Sequence, residues 1–383
     1  MSCDVSVVRC ASYEPDECRR ALREVLAPLD GLGWVRPGMR VAIKVNLVTA
    51  LRPEAAGTTH PALVAALTEL LRERGAEVTV GDSPGGLWNA AYVGRVYAVT
   101  GMREAEQAGA VLNDDFSWET VRNPAGLVCR EFPCTSYLRK ADAVVDFCKL
   151  KTHGMMGMSA AAKNLFGAIP GTMKPEFHFR YPNPADFARM LVDLDEYFRP
   201  RLCLADAVVG MEGNGPTAGT PRPIGALAAS FSPHRLDLLC AALIGLARKD
   251  VPTLEAARER GLIPDSVEAL DTAGDWRPLV VPDYRRIGAQ SSLLFRGSGN
   301  SLFGRLRGSA VRLAISPRPG VEASVCVGCG KCRDLCPARA IRMENSLPVI
   351  DRGRCIHCFC CQEFCPKGAM RVRRPPIARL LSR

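Results

Sequence analysis

The chain has 383 residues, of which 47% are hydrophobic and 23% are charged, and its net charge is +10. This composition is typical of a folded globular protein with two or three domains. No apolar run approaches the roughly 20 residues that span a bilayer, and the N-terminus, MSCDVSVVRC, has no signal-peptide pattern. We therefore expect a cytoplasmic protein without a membrane span. The sequence has no basic motif with interleaved aromatic residues, so we do not expect it to bind nucleic acid.

Strand-like and helix-like segments alternate through the first two thirds of the chain. The predicted strands are residues 5–10, 39–46, 76–83, 142–150, 201–209 and 224–230. The predicted helices are residues 15–28, 58–74, 159–166, 185–198, 233–246 and 252–261. Tight strand–helix–strand connections favour right-handed crossovers and parallel strands. The pattern predicts an α/β fold, with a mostly parallel, Rossmann-like, three-layer large domain.

Two copies of one cysteine motif lie between Cys326 and Pro366: CVGCGKCRDLCP and CIHCFCCQEFCP. Their spacing, Cys-x2-Cys-x2-Cys-x3-Cys-Pro, is that of bacterial ferredoxins with two clusters. The motif predicts two 4Fe–4S clusters, which would make the protein oxygen-sensitive. The predicted ligands are Cys326, Cys329, Cys332 and Cys365 for one cluster, and Cys355, Cys358, Cys361 and Cys336 for the other. A pair of zinc knuckles is the alternative, but triple-cysteine runs fit paired tetrahedral sites poorly.

Charge and composition change towards the C-terminus. Residues 284–383 hold nineteen Lys and Arg against five Asp and Glu. We predict an α/β substrate-binding domain at 1–283, a linker rich in Arg, Gly and Ser at 284–319, a small α+β dicluster domain at 320–373 and a basic tail at 374–383. A positive domain that carries electrons favours docking of an acidic electron donor, such as a ferredoxin or flavodoxin.

Polar residues occur where predicted strands of the large domain end, the edge at which open α/β sheets bind ligands. GDSPGG follows the third strand as a glycine-rich turn that could offer backbone N–H groups to an anion or be only a tight turn. Candidate substrate-binding residues are Lys44, Asn46, Asp82, Ser83, Gly85, Asn164, Glu212 and Asn214.

The segment KLKTHG, followed by the apolar AAAKNLFG, places several cations near the end of one buried strand. A lysine in such surroundings is costly to bury, although a solvated loop would also explain it. Histidines at junctions and in loops are candidate proton donors. Candidate catalytic residues are His153, Lys163, Lys151, Lys149, His60 and His178.

The motifs KVNL (44–47), THP (59–61), GDSPG (81–85), LKTHG (150–154), KNLFG (163–167) and EGNGP (212–216), in this order, resemble a prokaryotic family, the "domain of unknown function 362". Members of this family are often fused to a dicluster ferredoxin domain. The resemblance covers about residues 40–245 and 320–370. It implies iron–sulfur electron transfer and little further chemistry.

Together these features predict an iron–sulfur oxidoreductase. Ferredoxin-type clusters would pass electrons to a small, anionic substrate in the α/β domain, with the reductase direction favoured. The first alternative is a non-catalytic electron-transfer or assembly protein. The second is a metal-dependent lyase or hydrolase, with a metal held by the three histidines and Asp82 and with accessory clusters.

Overall fold

The structure, a computed structural model, describes residues 3–286 and 318–373. Most of the predicted linker and the whole predicted basic tail lie outside the described residues. The strands are β1 (Val5–Arg9), β2 (Arg40–Val45), β3 (Glu77–Gly81), β4 (Val111–Leu112), β5 (Trp118–Arg122), β6 (Glu131–Thr135), β7 (Ala143–His153), β8 (Gly157–Ser159), β9 (Leu202–Glu212), β10 (Thr220–Ser230), β11 (Thr272–Ala273), β12 (Arg318–Val321), β13 (Ile341–Glu344), β14 (Leu347–Ile350) and β15 (Met370–Arg373).

The six predicted helices are present with similar bounds, and the structure adds helices that the sequence pattern did not predict. They are α1 (Pro15–Leu26), α2 (Pro61–Glu73), α3 (Ala90–Val99), α4 (Arg103–Gln107), α5 (Ser136–Lys140), α6 (Ala161–Asn164), α7 (Lys174–Arg180), α8 (Pro184–Phe198), α9 (Pro233–Leu243), α10 (Pro252–Glu259), α11 (Lys331–Asp334) and α12 (Cys360–Glu363). Several begin with proline in the first turn, where its missing N–H costs no intrahelical hydrogen bond.

One mixed sheet forms the centre of the large domain. Its strand order is β11–β1–β10–β9–β7–β2–β3–β4, and β8 pairs with β7. The block from β9 through β7, β2 and β3 to β4 is parallel, whereas β10 pairs antiparallel with both β1 and β9. The carboxyl ends of β2, β3 and β7 therefore meet at one edge of the sheet.

Helices cover the two faces of this sheet, so that the large domain has three layers. On β9, Leu202 and Leu204 pack with α1 and α2, whereas Cys203 and Ala205 face the opposite side and pack with α9. This alternation is the period of two that a strand buried on both faces requires. The α/β prediction is confirmed, with an antiparallel strand inserted beside the parallel block.

Strand β10 begins four residues before the predicted segment and includes Pro221 and Pro223. These residues pair with β9, whereas β1 pairs only with residues 226–230. The first part of β10 therefore has a neighbour on one side within the sheet, and proline is tolerated at such an edge because no N–H is needed there.

The small C-terminal domain repeats one local structure twice. Gly330 and Phe359 both adopt left-handed conformations directly before α11 and α12, with φ of 74° and 62°. After each helix, the cysteine that precedes proline accepts a backbone N–H at its sulfur. Ala340 N lies 3.2 Å from Cys336 Sγ, and Ala369 N lies 3.2 Å from Cys365 Sγ. The sequence repeat is thus a structural repeat.

Candidate functional site

Lys44, at the end of β2, is fully buried and pairs with Asp82 at the end of β3. Its Nζ lies 2.8 Å from Asp82 Oδ1 and donates to Val45 O and to Asn164 Oδ1. Asn164 also accepts from Asn46 Nδ2 and donates to Asp146 Oδ1 at 2.6 Å. Four of the predicted site residues therefore lie together. The three N–H groups of the Lys44 ammonium all have partners in this network, so Lys44 has no free donor for a substrate.

Lys149 belongs to a second buried network on the same sheet. Its Nζ lies 2.8 Å from Asp206 Oδ2 and 2.8 Å from the hydroxyl of Tyr13. The Tyr13 ring stacks on His60 at a centroid distance of 3.6 Å, and Asp206 accepts the backbone N–H of His60. Burial lowers the pKa of His60 to about 4, so this imidazole is neutral at pH 7 and lies apart from the other candidate histidines.

Lys151 is a buried lysine whose Nζ donates to two neutral oxygens and has no carboxylate partner among the described residues. It donates to Asn46 Oδ1 at 2.6 Å and to Gly57 O at 2.7 Å. Burial and the neighbouring Lys163 lower the pKa of Lys151 to about 7. Burying an ammonium group favours its neutral form, so that this lysine exchanges its proton near neutral pH.

Helix α12 of the dicluster domain reaches the carboxyl edge of the sheet through Glu363. Its Oε1 lies 2.7 Å from His153 Nε2 and 3.9 Å from Lys163 Nζ. His153 Nδ1 accepts the backbone N–H groups of Met155 and Met156, so Nε2 carries the proton and donates to Glu363. Burial lowers the pKa of His153 to about 4. A neutral histidine therefore lies at the contact between the two domains.

Glu363 stays ionised although its side chain is only 12% exposed. Burial would raise its pKa, but the positive charge of Lys163 and the hydrogen bond from His153 outweigh burial and hold the pKa well below its ordinary value. Next to it, Phe364 lies against the glycine-rich turn, where a Cβ at Gly85 would be 2.5 Å from Phe364 Cε1. Only glycine allows this close approach. Gly85 N–H donates to Val48 O and is not free for an anion.

Between Glu363, Phe364 and the sheet edge lies a cavity of about 50 Å³. We call it the junction cavity. Its lining residues are Asn46, Val48, Asp82, Ser83, Gly85, Lys163, Asn164, Phe166, Gly167, Lys174, Glu363 and Phe364. Most of the predicted substrate-binding residues line it, together with two residues of the dicluster domain.

Two lysines and a hydroxyl give the junction cavity its chemistry. The ammonium groups of Lys163 and Lys174 lie 5.7 and 5.9 Å from the centroid of the Phe166 ring. Lys174 donates to the carbonyl of Ser83, and burial lowers its pKa to about 7. The buried Ser83 Oγ has no hydrogen-bond partner among the described residues. These groups can bind a small anion.

The other predicted residues do not line the cavity. His178 stacks on Phe187 at 4.4 Å, and burial lowers its pKa to about 3, so it is neutral. Glu212 pairs with Arg285 at 2.6 Å. Asn214 offers its backbone carbonyl to Gln362 Nε2 at 2.9 Å and so contacts the dicluster domain. Their predicted roles in binding or catalysis stay predictions.

The cysteines surround two separate cavities in the dicluster domain. Cys326, Cys329, Cys332 and Cys365 line one of them. Cys336, Cys355, Cys358 and Cys361 line the other, with Cys360 beside them. Four cysteines lining each apolar cavity fit the ligand number of a 4Fe–4S cluster, and the backbone N–H groups that donate to Cys336 and Cys365 suit thiolates bound to iron. The spatial grouping matches the predicted ligand sets.

Within residues 3–286 and 318–373, no group of three or more His, Cys, Asp or Glu side chains is arranged to hold a single metal ion. The three histidines of the lyase or hydrolase alternative have different surroundings: His60 stacks on Tyr13, His153 binds Glu363, and His178 stacks on Phe187.

Replacing Glu363 with alanine should destabilise the contact between the domains. The change leaves the buried N–H of His153 without an acceptor, which costs about 1–3 kcal/mol. Glu363→Gln should lose less because the amide oxygen can still accept this hydrogen bond. Urea unfolding of the cluster-loaded protein, combined with hydrogen exchange at residues 153–157, measures both effects. The exposed Glu344→Ala on β13 is the control, and an equal loss in both alanine variants would contradict a docking role.

Two important residues were not among the sequence predictions. Glu363 stands between two cysteines of a ferredoxin motif, and nothing in its spacing indicates a contact with the large domain. Lys174 begins KPEFHF, a segment considered only for His178. The signal that could have identified Lys174 is a lysine that starts a helix rich in aromatic residues, because a cation there is often buried against rings.

Comparisons with known proteins agree with this domain organisation. Residues 41–242 match the family described as "Domain of unknown function (DUF362)", and residues 318–366 match the "4Fe-4S dicluster domain". The second match confirms the prediction of two 4Fe–4S clusters and indicates electron transfer. Among the described residues, no helix has the length and apolar character needed to cross a membrane.

The thylakoid-associated protein sll1697 of Synechocystis sp. is 34% identical over 289 residues, which are 73% of this chain and 87% of that protein. Two solved structures share 15% identity with this chain. The lactate racemase apoprotein of Thermoanaerobacterium thermosaccharolyticum has a TM-score of 0.41, with 64% of this chain and 58% of that chain covered. A protein of Thermotoga maritima has a TM-score of 0.34, with 56% and 55% covered. From the family match and the relative, this chain belongs to the DUF362 family and carries a C-terminal dicluster ferredoxin domain.

Proposed function

We propose that this protein is a cytoplasmic iron–sulfur oxidoreductase that reduces a small anionic substrate in the junction cavity. The observation that carries the proposal is the composition of the cavity wall. Glu363 and Phe364 stand between the cluster ligands Cys361 and Cys365, and they face Lys163 and Lys174 of the large domain. The 4Fe–4S clusters, when bound, supply one-electron transfer.

The charged groups of the cavity favour an anion. Lys163 and Lys174 face the space directly, and the unpartnered hydroxyl of Ser83 adds a hydrogen-bond donor. Both lining carboxylates are engaged within the protein, that of Glu363 by His153 and Lys163 and that of Asp82 by Lys44. Ligand pockets for whole metabolites usually reach roughly 300 Å³ or more. A cavity of about 50 Å³ therefore suits the acidic end of a substrate.

Reduction of an activated double bond adds two electrons and two protons, and the protons need a donor. Lys174 suits this role because its pKa of about 7 lets it give up a proton at neutral pH. The Nε2–H of His153 is held by Glu363, and its Nδ1 already accepts two backbone N–H groups. The proposal therefore assigns substrate binding to Lys163 and donation of one proton to Lys174, while the second proton comes from solvent water and each of the two clusters supplies one electron.

A non-catalytic electron carrier is the second candidate function. It is favoured because Lys44 pairs with Asp82 and Lys149 pairs with Asp206 inside the protein, so that these two charges are not available to a substrate. In this case the large domain would serve as a docking platform and the junction cavity would hold only water. The two functions differ in whether an added substrate can remove electrons from the reduced protein.

The test is substrate-dependent reoxidation of the reduced clusters without oxygen, followed by visible absorbance. With α,β-unsaturated carboxylates as probes, we expect reoxidation to slow about a hundredfold or more in Lys174→Met, a size typical for loss of an acid–base group. The wild-type reoxidation rate at saturating substrate should fall as pH increases through about 7, because Lys174 loses the proton that it donates. The variant should lose this pH dependence. Lys249→Met, at an exposed position of the large domain, is the matched control.

Equal reoxidation rates in Lys174→Met and wild type would contradict the role of the cavity. If no acid accelerates reoxidation of the wild type above the rate without substrate, the electron-carrier function is favoured.

A further inference from the structure

The two cysteine groups differ in their exposure to solvent. Cys329 is exposed and Cys326 is half-buried, whereas Cys358 and Cys361 are buried. Beside the buried pair, Phe359 packs in the apolar cluster that contains Met155 and Phe166 of the large domain. The group containing Cys329 is therefore the outer one, and the group containing Cys358 lies towards the large domain.

A distinct surface surrounds the outer cysteine group. We call it the outer face and define it by Val327, Cys329, Lys331 and Lys367, all of which are exposed and line the cavity of this group. Val327 is 60% exposed, one of the larger apolar exposures in the described residues. An apolar centre with a charged rim is the usual anatomy of a protein interface.

The two lysines of the outer face have no ion-pair partner among the described residues. Other basic residues of the same domain do: Arg333 pairs with Asp334 at 2.7 Å, and Arg342 pairs with Glu344 at 2.5 Å. Charges paired within the chain contribute little to the attraction of a partner. Lys331 and Lys367 therefore leave a net positive rim that a partner with carboxylates can neutralise.

Charge also argues against residues 287–317 or 374–383 of this chain as the segment that covers the outer face. Residues 287–317 contain four arginines and no Asp or Glu, and residues 374–383 contain three arginines and no Asp or Glu. Segments of the same sign as the outer face are repelled by it. The occupant that the charge favours is a separate acidic protein.

We propose that the outer face is the docking surface for an acidic one-electron carrier protein. Each encounter transfers one electron, which oxidises the carrier and reduces the dicluster domain, without a bond or a proton being moved. Electrons then cross the domain from the outer cysteine group towards the side that faces the large domain. The inward direction rests on the proposed function, whereas docking at the outer face does not.

The experiment uses the full chain with both clusters loaded and reduced plant-type ferredoxin as the acidic probe. Stopped-flow absorbance without substrate records how fast the clusters are reduced. The test variant is Lys331→Glu with Lys367→Glu. The control variant is Arg95→Glu with Lys249→Glu, which changes the net charge equally at exposed positions of the large domain. Photoreduced deazaflavin, a neutral small reductant, provides a reaction that needs no docking.

We expect the test variant to be reduced by ferredoxin about tenfold more slowly than wild type at low ionic strength, because steering by complementary charge is lost. Its rate should also depend less on salt. The control should stay within about twofold of wild type, and deazaflavin should reduce all three proteins equally.

Two results would overturn the proposal: unchanged reduction of the test variant by ferredoxin, or equal slowing of both variants. An unchanged rate together with a changed oligomeric state of the test variant would assign the outer face to a second copy of this chain. Substrate reduction driven by deazaflavin tests the proposed function separately, so that the two proposals can fail independently.

Discussion

Replacing Cys329 and Cys365 together with alanine should remove one cluster and leave the other intact. Both cysteines line the outer cavity, although 36 positions separate them in the chain. The double variant should therefore keep about four of eight irons, together with one reducible cluster. Cys329→Ala with Cys336→Ala should lose both clusters, because these two residues line different cavities.

This comparison separates the spatial grouping from a grouping by neighbouring residues. If each sequence motif held its own cluster, the pair Cys329 and Cys336 would cost one cluster, and the pair Cys329 and Cys365 would cost two. Iron analysis, visible absorbance and electron paramagnetic resonance of the reduced proteins measure the outcome. Cys360→Ala is the control within the same loop. It should keep all the iron, because Cys360 lies beside the inner group but outside the predicted ligand set.

The cluster domain could be read from the sequence because its chemistry is local. Within each motif, three cysteines at fixed spacing and a fourth before proline predict the cofactor. The strands β2, β3 and β7 were also predictable, because each contains an apolar run, although β7 continues three residues beyond the predicted segment. These features depend on residues within about ten positions of one another.

The partners of the buried lysines could not be predicted in the same way. The sequence predicts that Lys44 and Lys149 lie near the ends of buried strands. It leaves open whether they bind a substrate or pair with other side chains of the protein. The structure pairs them with Asp82 and Asp206, which are 38 and 57 positions away. Such pairs depend on strand order and register. The partners of Glu363 are harder still to predict, because its contacts with His153 and Lys163 form only where the two domains meet.

Replacing Asp82 with alanine should strongly destabilise the large domain. The change leaves the ammonium group of Lys44 fully buried without its carboxylate, and it removes the acceptor of the Leu47 backbone N–H, which donates to Asp82 Oδ2 at 2.7 Å. Loss of one partner from a buried ion pair costs about 3–5 kcal/mol. Urea unfolding followed by circular dichroism should show this as a lower midpoint.

Strand β2 offers a matched control at its other end. Arg40 pairs with Asp142 at 2.6 Å, but both side chains are largely exposed, and exposed pairs contribute little because water screens them. Asp142→Ala should therefore shift the unfolding midpoint much less than Asp82→Ala. The double variant Lys44→Met with Asp82→Ala should recover part of the loss, because it removes the unpaired charge as well. Equal shifts for Asp82→Ala and Asp142→Ala would show that the Lys44–Asp82 pair contributes no more than a surface pair. Its place beside the junction cavity would then have to be explained by binding, since the buried charge would serve the ligand and not the fold.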